Sequence, residues 1–497
     1  MKQTAIVAAI LPLTAAIAPL TAGAAKKEAP KETSTPRQPN IVLFYVDDMG
    51  YGDMALTGAI GYHTPNLDRL AHDGMLFTQY YSPSPVSSAS RAGMMTGCYP
   101  PRVGFMGVLS PRSDTGLSLS ELTISEMLKK KGYATSMVGK WHMGDAPEFM
   151  PMERGFDEYL GLPYSNDMWP YGKNAVRGQA PKKDVGLKHQ PLLLYDGRKA
   201  IETISTLKQQ DQLTTRYTER AVSFIKRSAG KPFFLYMPHS MPHVPLAVSS
   251  KFAGKSEMGP FGDVIMEIDW SVGQIVETIE KAGLSDNTLI VFTSDNGPWL
   301  NFGDHAGSAG GLKEGKHTSL EGGQRVPCIM KWPAVIPAGR VCNRLASSID
   351  LLPTLAQITD GKLSSNKIDG VSLLPLMQGD LQAKPRTTFF YYQATNIRAV
   401  RDERFKLIAP HTSSSYEGVL PGTDGKPGPM AKQTCDWMLF DLRRDPGERY
   451  NVIEMYPGET ERLKEEIDRM GHLLGNALMK IKGTEDRPAG KTDYFKQ

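Results

Sequence analysis

A serine stands four residues before an arginine in Ser87-Ser88-Ala89-Ser90-Arg91-Ala92-Gly93-Met94-Met95-Thr96-Gly97. The segment reads as the opening turns of a helix, where unpaired backbone N–H groups point outward and attract anions. Arg91 adds a permanent planar cation one turn on, suited to an oxyanion. An oxygen nucleophile beside an anion site is the chemistry this spacing offers. Taken alone, the same residues also describe an ordinary serine-capped helix.

Further reactive residues follow short apolar runs. Asp47-Asp48 follows residues 41–46, Lys140 and His142 follow 134–138, His239 and His243 follow 232–237, and Asp295-Asn296-Gly297 follows 288–293. Each run is short and nearly continuously apolar, as expected of a strand buried on both faces. In an open α/β sheet the carboxyl ends of such strands meet in one cleft. Crowded carboxylates raise one another's pKa, and a divalent cation removes the conflict. Carboxylate and amide oxygens suit calcium or magnesium, and calcium accepts the more irregular shell. Read singly, Asp47-Asp48 also suits a helix cap and Asp295-Asn296-Gly297 a turn. Lys316, in the glycine-rich stretch 310–317, reads alone as a solvated loop lysine, and His243 between Pro242 and Pro245 as a structural histidine. Together with a metal, two lysines, Arg91 and the histidines describe a pocket for a multiply charged oxyanion.

The elements that must position these groups follow a strand-then-helix rhythm. Helical periodicity covers 120–131 and 264–281, each stopped by a glycine. This predicts an α/β fold with a mostly parallel sheet flanked by helices. After about residue 384 the rhythm changes to short strands at 387–392, 397–400, 405–407 and 438–441, then an amphipathic helix carrying Leu463, Ile467, Met470 and Leu474. A smaller antiparallel sheet with one covering helix is expected there, with 416–428 as a long surface loop.

Composition sets the limits. The 497 residues are 40% hydrophobic and 22% charged, ordinary for a soluble chain, with a net charge of +4 too weak and too evenly spread for nucleic acid. Residues 1–24 read as a cleavable signal peptide: a basic start, an apolar alanine-rich run, then Ala22-Gly23-Ala24. This implies a periplasmic or secreted protein. No other stretch reaches the roughly 18 apolar residues of a membrane span. Residues 25–38 read as a flexible lead-in. Cys98, Cys328, Cys342 and Cys435 fit no zinc spacing, and either free thiols or disulfides suit a chain of this size.

The ordered motifs resemble those of the type I, formylglycine-dependent sulfatases, of the arylsulfatase A and N-acetylgalactosamine-6-sulfatase kind. Besides Ser87 to Gly97, the resemblance rests on Pro39-Asn40-Ile41-Val42 through Asp47-Asp48-Met49-Gly50, Thr64-Pro65-Asn66-Leu67-Asp68-Arg69-Leu70-Ala71, Val138-Gly139-Lys140-Trp141-His142, Thr293-Ser294-Asp295-Asn296-Gly297 and Glu321-Gly322-Gly323. It implies an alkaline-phosphatase-like fold, a catalytic domain over 39–383 and a C-terminal subdomain over 384–497. It also implies that Ser87 is oxidised to formylglycine (3-oxoalanine). An aldehyde hydrate carries a second hydroxyl that lets the sulfated intermediate collapse, where a plain serine ester would be trapped. By the same resemblance Asp47, Asp48, Asp295, Asn296 and residue 87 hold Ca2+. Arg91 and His142 position the nucleophile, with His142 as its base. Lys140, Lys316 and Ser165 grip the sulfate, and His243, helped by Lys316, protonates the leaving alcohol. The implied substrate is a sulfated carbohydrate, with galactose or N-acetylgalactosamine preferred. Trp169, Tyr171, Trp299 and His305 are candidate sugar contacts, though each also suits plain loop packing. Serine rather than cysteine at 87 implies a transient partner, an anaerobic radical sulfatase-maturating enzyme. Ala89 replaces the usual proline, and Cys98 stands where many members carry arginine. Two rival functions share these residues: a phosphomonoester or phosphonate hydrolase on the same fold, and a non-catalytic sulfated-glycan-binding protein if Ser87 stays unmodified.

Overall fold

Ten strands form one mixed sheet in the computed structural model, which describes residues 38–175 and 190–496. The expected signal peptide and all but the last residue of the lead-in lie outside the described residues. In chain order the strands are β1 (Asn40–Val46), β2 (Met75–Phe77), β3 (Ala134–Lys140), β4 (Glu158–Leu162), β5 (Leu192–Asp196), β6 (Lys199–Ile204), β7 (Phe233–Met237), β8 (Thr288–Ser294), β9 (Cys328–Lys331) and β10 (Arg340–Cys342). Their spatial order is β10-β2-β9-β8-β1-β7-β3-β4-β5-β6. The central strands β8, β1, β7, β3 and β4 are mutually parallel. The strands joining them on either side, β9 and β5, run antiparallel to their neighbours. The four apolar runs of the sequence are β1, β3, β7 and β8, and every residue of each is buried. That is why they lack alternation: both faces meet helices.

The helices α1 (Ser87–Thr96), α2 (Ile124–Lys130), α3 (Leu213–Ser228) and α4 (Gly259–Lys281) pack on these faces. The segment expected as a helix over 120–131 begins only at Ile124. Thr123 caps it, accepting from the Glu126 N–H at 3.2 Å, while Glu126 Oε2 accepts from the Thr123 N–H at 2.8 Å. This reciprocal pair fixes the start. The helix expected over 264–281 starts earlier, at Gly259, because Pro260 suits a first turn whose N–H groups have no partner.

Beyond residue 384 the strands β11 (Phe389–Gln393), β12 (Asn396–Arg401), β13 (Phe405–Ile408) and β14 (Met438–Asp441) form an antiparallel sheet in that order. Helix α5 (Pro457–Leu474) covers it through Leu463, Ile467, Met470 and Leu474. The architecture is the expected alkaline-phosphatase-like one: a large, centrally parallel sheet with a smaller antiparallel sheet beside it. The four cysteines are free. No helix among the described residues is long and apolar enough to cross a membrane.

Buried charge joins the two sheets. Lys406 on β13 lies 2.7 Å from Glu448 Oε1 and 3.3 Å from Glu321 Oε1, all fully buried. Glu448 Oε2 accepts from the Glu321 N–H at 2.7 Å, and the Tyr81 hydroxyl donates to Glu321 Oε2 at 2.6 Å. Burial pushes the Glu321 carboxyl up, but Lys406, Arg401 and Arg325 outweigh it and hold it at about 2. Burial pushes Glu448 up to about 7, against the pull of Lys406. Removing the shared cation leaves two carboxylates buried against each other. Lys406→Met is expected to lower stability by about 3–5 kcal/mol, read from the urea midpoint. An unchanged midpoint would show that the network carries no such energy.

Candidate active site

Helix α1 starts at Ser87, but no serine caps it. The cap residue is Val86, in extended conformation and without a side-chain bond. The Ser87 hydroxyl turns into the cleft instead. It donates to Asp47 Oδ1 at 2.9 Å and lies 3.5 Å from Asn296 Oδ1. Ser88 Oγ accepts from the Leu109 N–H, and Ser90 Oγ pairs with the Tyr45 hydroxyl at 2.9 Å. Each serine therefore has its own partner, and only Ser87 meets the acidic cluster.

The carboxylates come from the ends of β1 and β8. Asp48 leaves the strand in left-handed conformation (φ 66°), and its N–H donates to Asp295 Oδ1 at 3.1 Å. Asn296 Nδ2 donates to Asp48 Oδ1 at 2.7 Å. Asp47, Asp48 and His243 each bring a donor atom within 4.8 Å of the others, an arrangement able to hold a metal ion. Asp295 lies beside that set with both oxygens already accepting bonds, Oδ1 from Asp48 and Oδ2 from Arg91. Burial and the neighbouring Asp47 push Asp295 up to about 7 despite Arg91. Burial also works against the Asp47 anion, yet Lys140, His243 and Arg91 hold its carboxyl well below the ordinary range.

Three permanent cations answer the three carboxylates. Arg91, fully buried, reaches Asp295 Oδ2 at 2.8 and 3.1 Å and donates to the Lys140 carbonyl at 3.1 Å. Lys140 Nζ pairs with Asp47 Oδ2 and donates to Ser165 Oγ at 3.2 Å. Lys316 Nζ straddles Asp48, 2.7 and 2.8 Å from its two oxygens. Burial lowers the Lys140 pKa against the attraction of Asp47. In Lys316, Asp48 and Asp47 overcome burial and raise it.

The two histidines have fixed tautomers. His142 Nε2 lies 3.0 Å from the Leu109 carbonyl, which can only accept, so Nε2 carries the hydrogen and the buried Nδ1 keeps a free lone pair. Burial and Lys140 hold its pKa well below 6.5, so the ring is neutral at pH 7. His243 Nδ1 lies 2.6 Å from the Val244 carbonyl, which leaves Nε2 facing Asp48 Oδ2 at 3.7 Å. Burial and Lys316 lower the His243 pKa.

Other expectations need correction. His239 follows the same strand as His243 but stays out of the cleft. It stacks on Phe44 and faces Ser271 of α4. Trp169 is fully buried, its indole N–H held by the Gly172 carbonyl at 2.7 Å, and so offers no sugar a face. Tyr171 packs edge-on against it, and His305 is buried. Only Trp299 meets the site: its ring centre is 4.4 Å from Lys316 Nζ and 5.5 Å from the His243 ring. The loop 416–428 is more than a surface loop. The Tyr416 hydroxyl donates to the Lys316 carbonyl at 2.7 Å, and the Gly422 and Gly428 N–H groups bond the Asn301 carbonyl. Beside Cys98, whose sulfur is buried, Arg487 supplies a guanidinium from far along the chain, 3.6 Å from Sγ and paired with Glu121.

Fold and site define a class: an alkaline-phosphatase-like hydrolase acting on esters of a tetrahedral oxyanion. Comparison narrows it. The sulfatase family model matches residues 39–361, and the model for the C-terminal part of N-sulphoglucosamine sulphohydrolase matches 315–418. The chain is 37% identical to human arylsulfatase A over 452 residues, covering 87% of each chain. It is 38% identical to N-acetylgalactosamine-6-sulfatase of Mus musculus over 440 residues, 84% of this chain and 82% of the relative. The crystal structure of Ps i-CgsB in complex with k-i-k-neocarrahexaose superposes with a TM-score of 0.71 at 30% identity, over 87% of this chain and 93% of that one. The chain belongs to the sulfatase family and is a sulfuric ester hydrolase.

Two glycines let the strand ends approach so closely. A Cβ at Gly139 (φ 133°) would lie 1.9 Å from the Pro238 carbonyl oxygen, and one at Gly297 would lie 1.8 Å from that of Gly322. Gly139→Ala is expected to lose about 3 kcal/mol from overlap and backbone strain together, read by denaturant unfolding, with Lys140 displaced from Asp47. Wild-type stability in that variant would refute the close approach.

Proposed function

We propose that the protein hydrolyses sulfate esters on a sulfated glycan, galactose or N-acetylgalactosamine sulfate by preference, with residue 87 oxidised to formylglycine and a bound calcium ion. The observation that carries this reading is the Ser87 hydroxyl, 2.9 Å from Asp47 Oδ1 inside a buried ring of three carboxylates and three cations. The names of two similar proteins support the substrate class, one an N-acetylgalactosamine-6-sulfatase and the other solved in complex with k-i-k-neocarrahexaose.

The donor set fits calcium. Asp47, Asp48, Asp295, Asn296 and the residue-87 oxygen offer hard, anionic or amide oxygens in an irregular cluster, and the Asp295 carboxyl, raised by burial and by Asp47, would be returned to its anion by a divalent ion. Calcium supplies Lewis-acid charge for a sulfate oxygen. The aldehyde made from Ser87, once hydrated by water, would supply a hydroxyl nucleophile and a second hydroxyl that permits release of sulfate.

The chain's own residues do the rest. Arg91 and His142 orient residue 87, and the free Nδ1 lone pair of neutral His142 takes its proton. Lys140, Lys316 and Ser165 turn to the sulfate oxygens, which replace the carboxylate contacts the lysines make in its absence. His243 presents Nε2 to the leaving oxygen. The negative charge of bound sulfate opposes the burial and the Lys316 charge that lower the His243 pKa, and so favours the protonated ring at the leaving oxygen. Trp299 flanks this pair and offers the sugar a face. Residues 39–383 carry the chemistry and 384–497 brace it. The signal peptide directs the protein to the periplasm or outside the cell, after a radical maturase has oxidised Ser87.

A protein matured in an anaerobic host is expected to show a loss of about 2 Da in the peptide bearing residue 87. It should cleave sulfate monoesters far faster than phosphate monoesters, and Ser87→Ala should abolish turnover. Full turnover by that variant, or preference for phosphate, would overturn the assignment. For the acid role, His243→Ala should cost about 10²–10⁴ in kcat on an alkyl sulfate and much less on a nitrophenyl sulfate, whose leaving oxygen needs no proton. Equal losses on both esters would remove His243 from that role.

A further inference from the structure

A second cavity lies at the same edge of the sheet, to one side of the catalytic cleft. It encloses about 480 Å³, the size range of small-ligand sites. Its walls continue the elements that carry the reactive groups. Asp145 comes three residues after His142, Tyr164 immediately precedes Ser165, and Arg112 comes three residues after Leu109, whose carbonyl holds His142. Opposite them stand Tyr195 of β5 and the C-terminal pair Tyr494 and Phe495. Strands lie about 4.8 Å apart, and β4, which leads into Tyr164, is three strands from β1, which leads into Asp47, so the two strands run roughly 15 Å apart. A short oligosaccharide spans that distance and a monosaccharide does not.

The lining chemistry suits a sugar. Tyr494 is 52% exposed and packs edge-on against Phe495, so the rings offer apolar faces. Tyr195 and Tyr494 bring phenol hydroxyls to the lining. Arg198 is already paired with Glu153 at 2.7 Å. Arg112 makes no such close pair: its guanidinium stacks over Phe495 at 5.6 Å, and the carboxyl of Asp145, in the same lining, feels its charge from beyond ion-pair distance. Its backbone is held in the left-handed region (φ 59°), with its N–H bonded to Asp145 Oδ2 at 2.7 Å. A guanidinium outside any close ion pair, over an aromatic ring and beside phenol hydroxyls, recognises an anionic ring with hydroxyl groups.

We propose that this cavity is a distal subsite that holds a non-reacting, sulfate-bearing sugar of an oligosaccharide substrate, with Arg112 on its charge and Tyr494 against its ring. The inference rests on the glycan-sulfatase reading and adds to it a preference for chain length. The test compares a sulfated monosaccharide with oligosaccharides carrying the same reacting unit, extended by either a sulfated or a neutral sugar. The wild-type kcat/KM should rise about tenfold with the sulfated extension, the scale of one charge-assisted contact. Arg112→Gln should remove that gain and leave the monosaccharide, too short to reach the cavity, at its wild-type rate. Tyr494→Ala, at an exposed position near the chain end, should do the same without threatening the fold. No gain with length, an equal gain from the neutral extension, or equal losses on all substrates would overturn the proposal. Calorimetric binding of the sulfated oligosaccharide to Ser87→Ala protein, with and without Arg112→Gln, separates the two readings. Arg112-dependent binding without hydrolysis by the matured parent would defeat the enzymatic reading and keep the subsite. Arg112-independent binding would defeat the subsite even where hydrolysis is seen.

Discussion

Three carboxylates and three cations are buried together where β1, β3 and β8 end, and the rest of the molecule is organised around keeping them so. Arg91 serves Asp295, Lys140 serves Asp47 and Lys316 serves Asp48. Any one of these charges alone would be expelled from so dry a place or would neutralise itself. The set is tolerable because it is balanced and because each member comes from an element fixed elsewhere. The strands deliver the carboxylates, α1 delivers the arginine, and a loop braced from below delivers Lys316.

The bracing explains why the C-terminal sheet matters to a site it does not line. Glu321 heads the short turn that contains Gly322 and Gly323. The Gly323 carbonyl accepts from the Gly297 N–H at 2.9 Å, and the Gly322 N–H bonds the Lys313 carbonyl at 2.7 Å. The same turn therefore sets both Asn296 and the lysine loop. Lys406 and Glu448 fix Glu321 from the antiparallel sheet. Strain collects at the strand ends and in the lysine loop: Asp48, His142, Glu314 and His317 all take left-handed backbone, each at a cost of about 1–3 kcal/mol. Such conformations persist only where the surroundings leave no alternative.

What the sequence made legible was whatever depends on one strand and its end. β1, β3, β7 and β8 were readable because burial on both faces leaves continuous apolar runs, and the polar residues that follow had nowhere to go but the carboxyl edge. The sequence did not reveal which way a side chain turns once it arrives. His239 and His243 follow the same strand, yet one packs on Phe44 and the other faces Asp48. That choice depends on α4, which no local pattern near residue 239 encodes. Trp169 likewise looked available until the Gly172 carbonyl claimed its indole. The outer strands β5 and β6 were missed for the opposite reason: they are antiparallel and part-exposed, β5 ends its short apolar run at Asp196, and β6 places Lys199 and Glu202 among its apolar residues. Long-range pairs, Arg487 with Cys98 or Tyr416 with Lys316, have no sequence signature at all.

Charge balance also sets how the site meets its substrate. With the lysines folded onto Asp47 and Asp48, their charges are spent on carboxylates and offer little attraction to an anion. A divalent ion held among the carboxylates would add two positive charges and would take over the pairing the lysines provide. Their ammonium groups would then be free to turn outward, on stems that already end in the cleft beside Ser165 and Trp299. The anion would therefore be drawn in by charge that the metal releases as much as by the metal itself. Two buried lysines are tolerable in so dry a site on that account, since each would have a partner in both states.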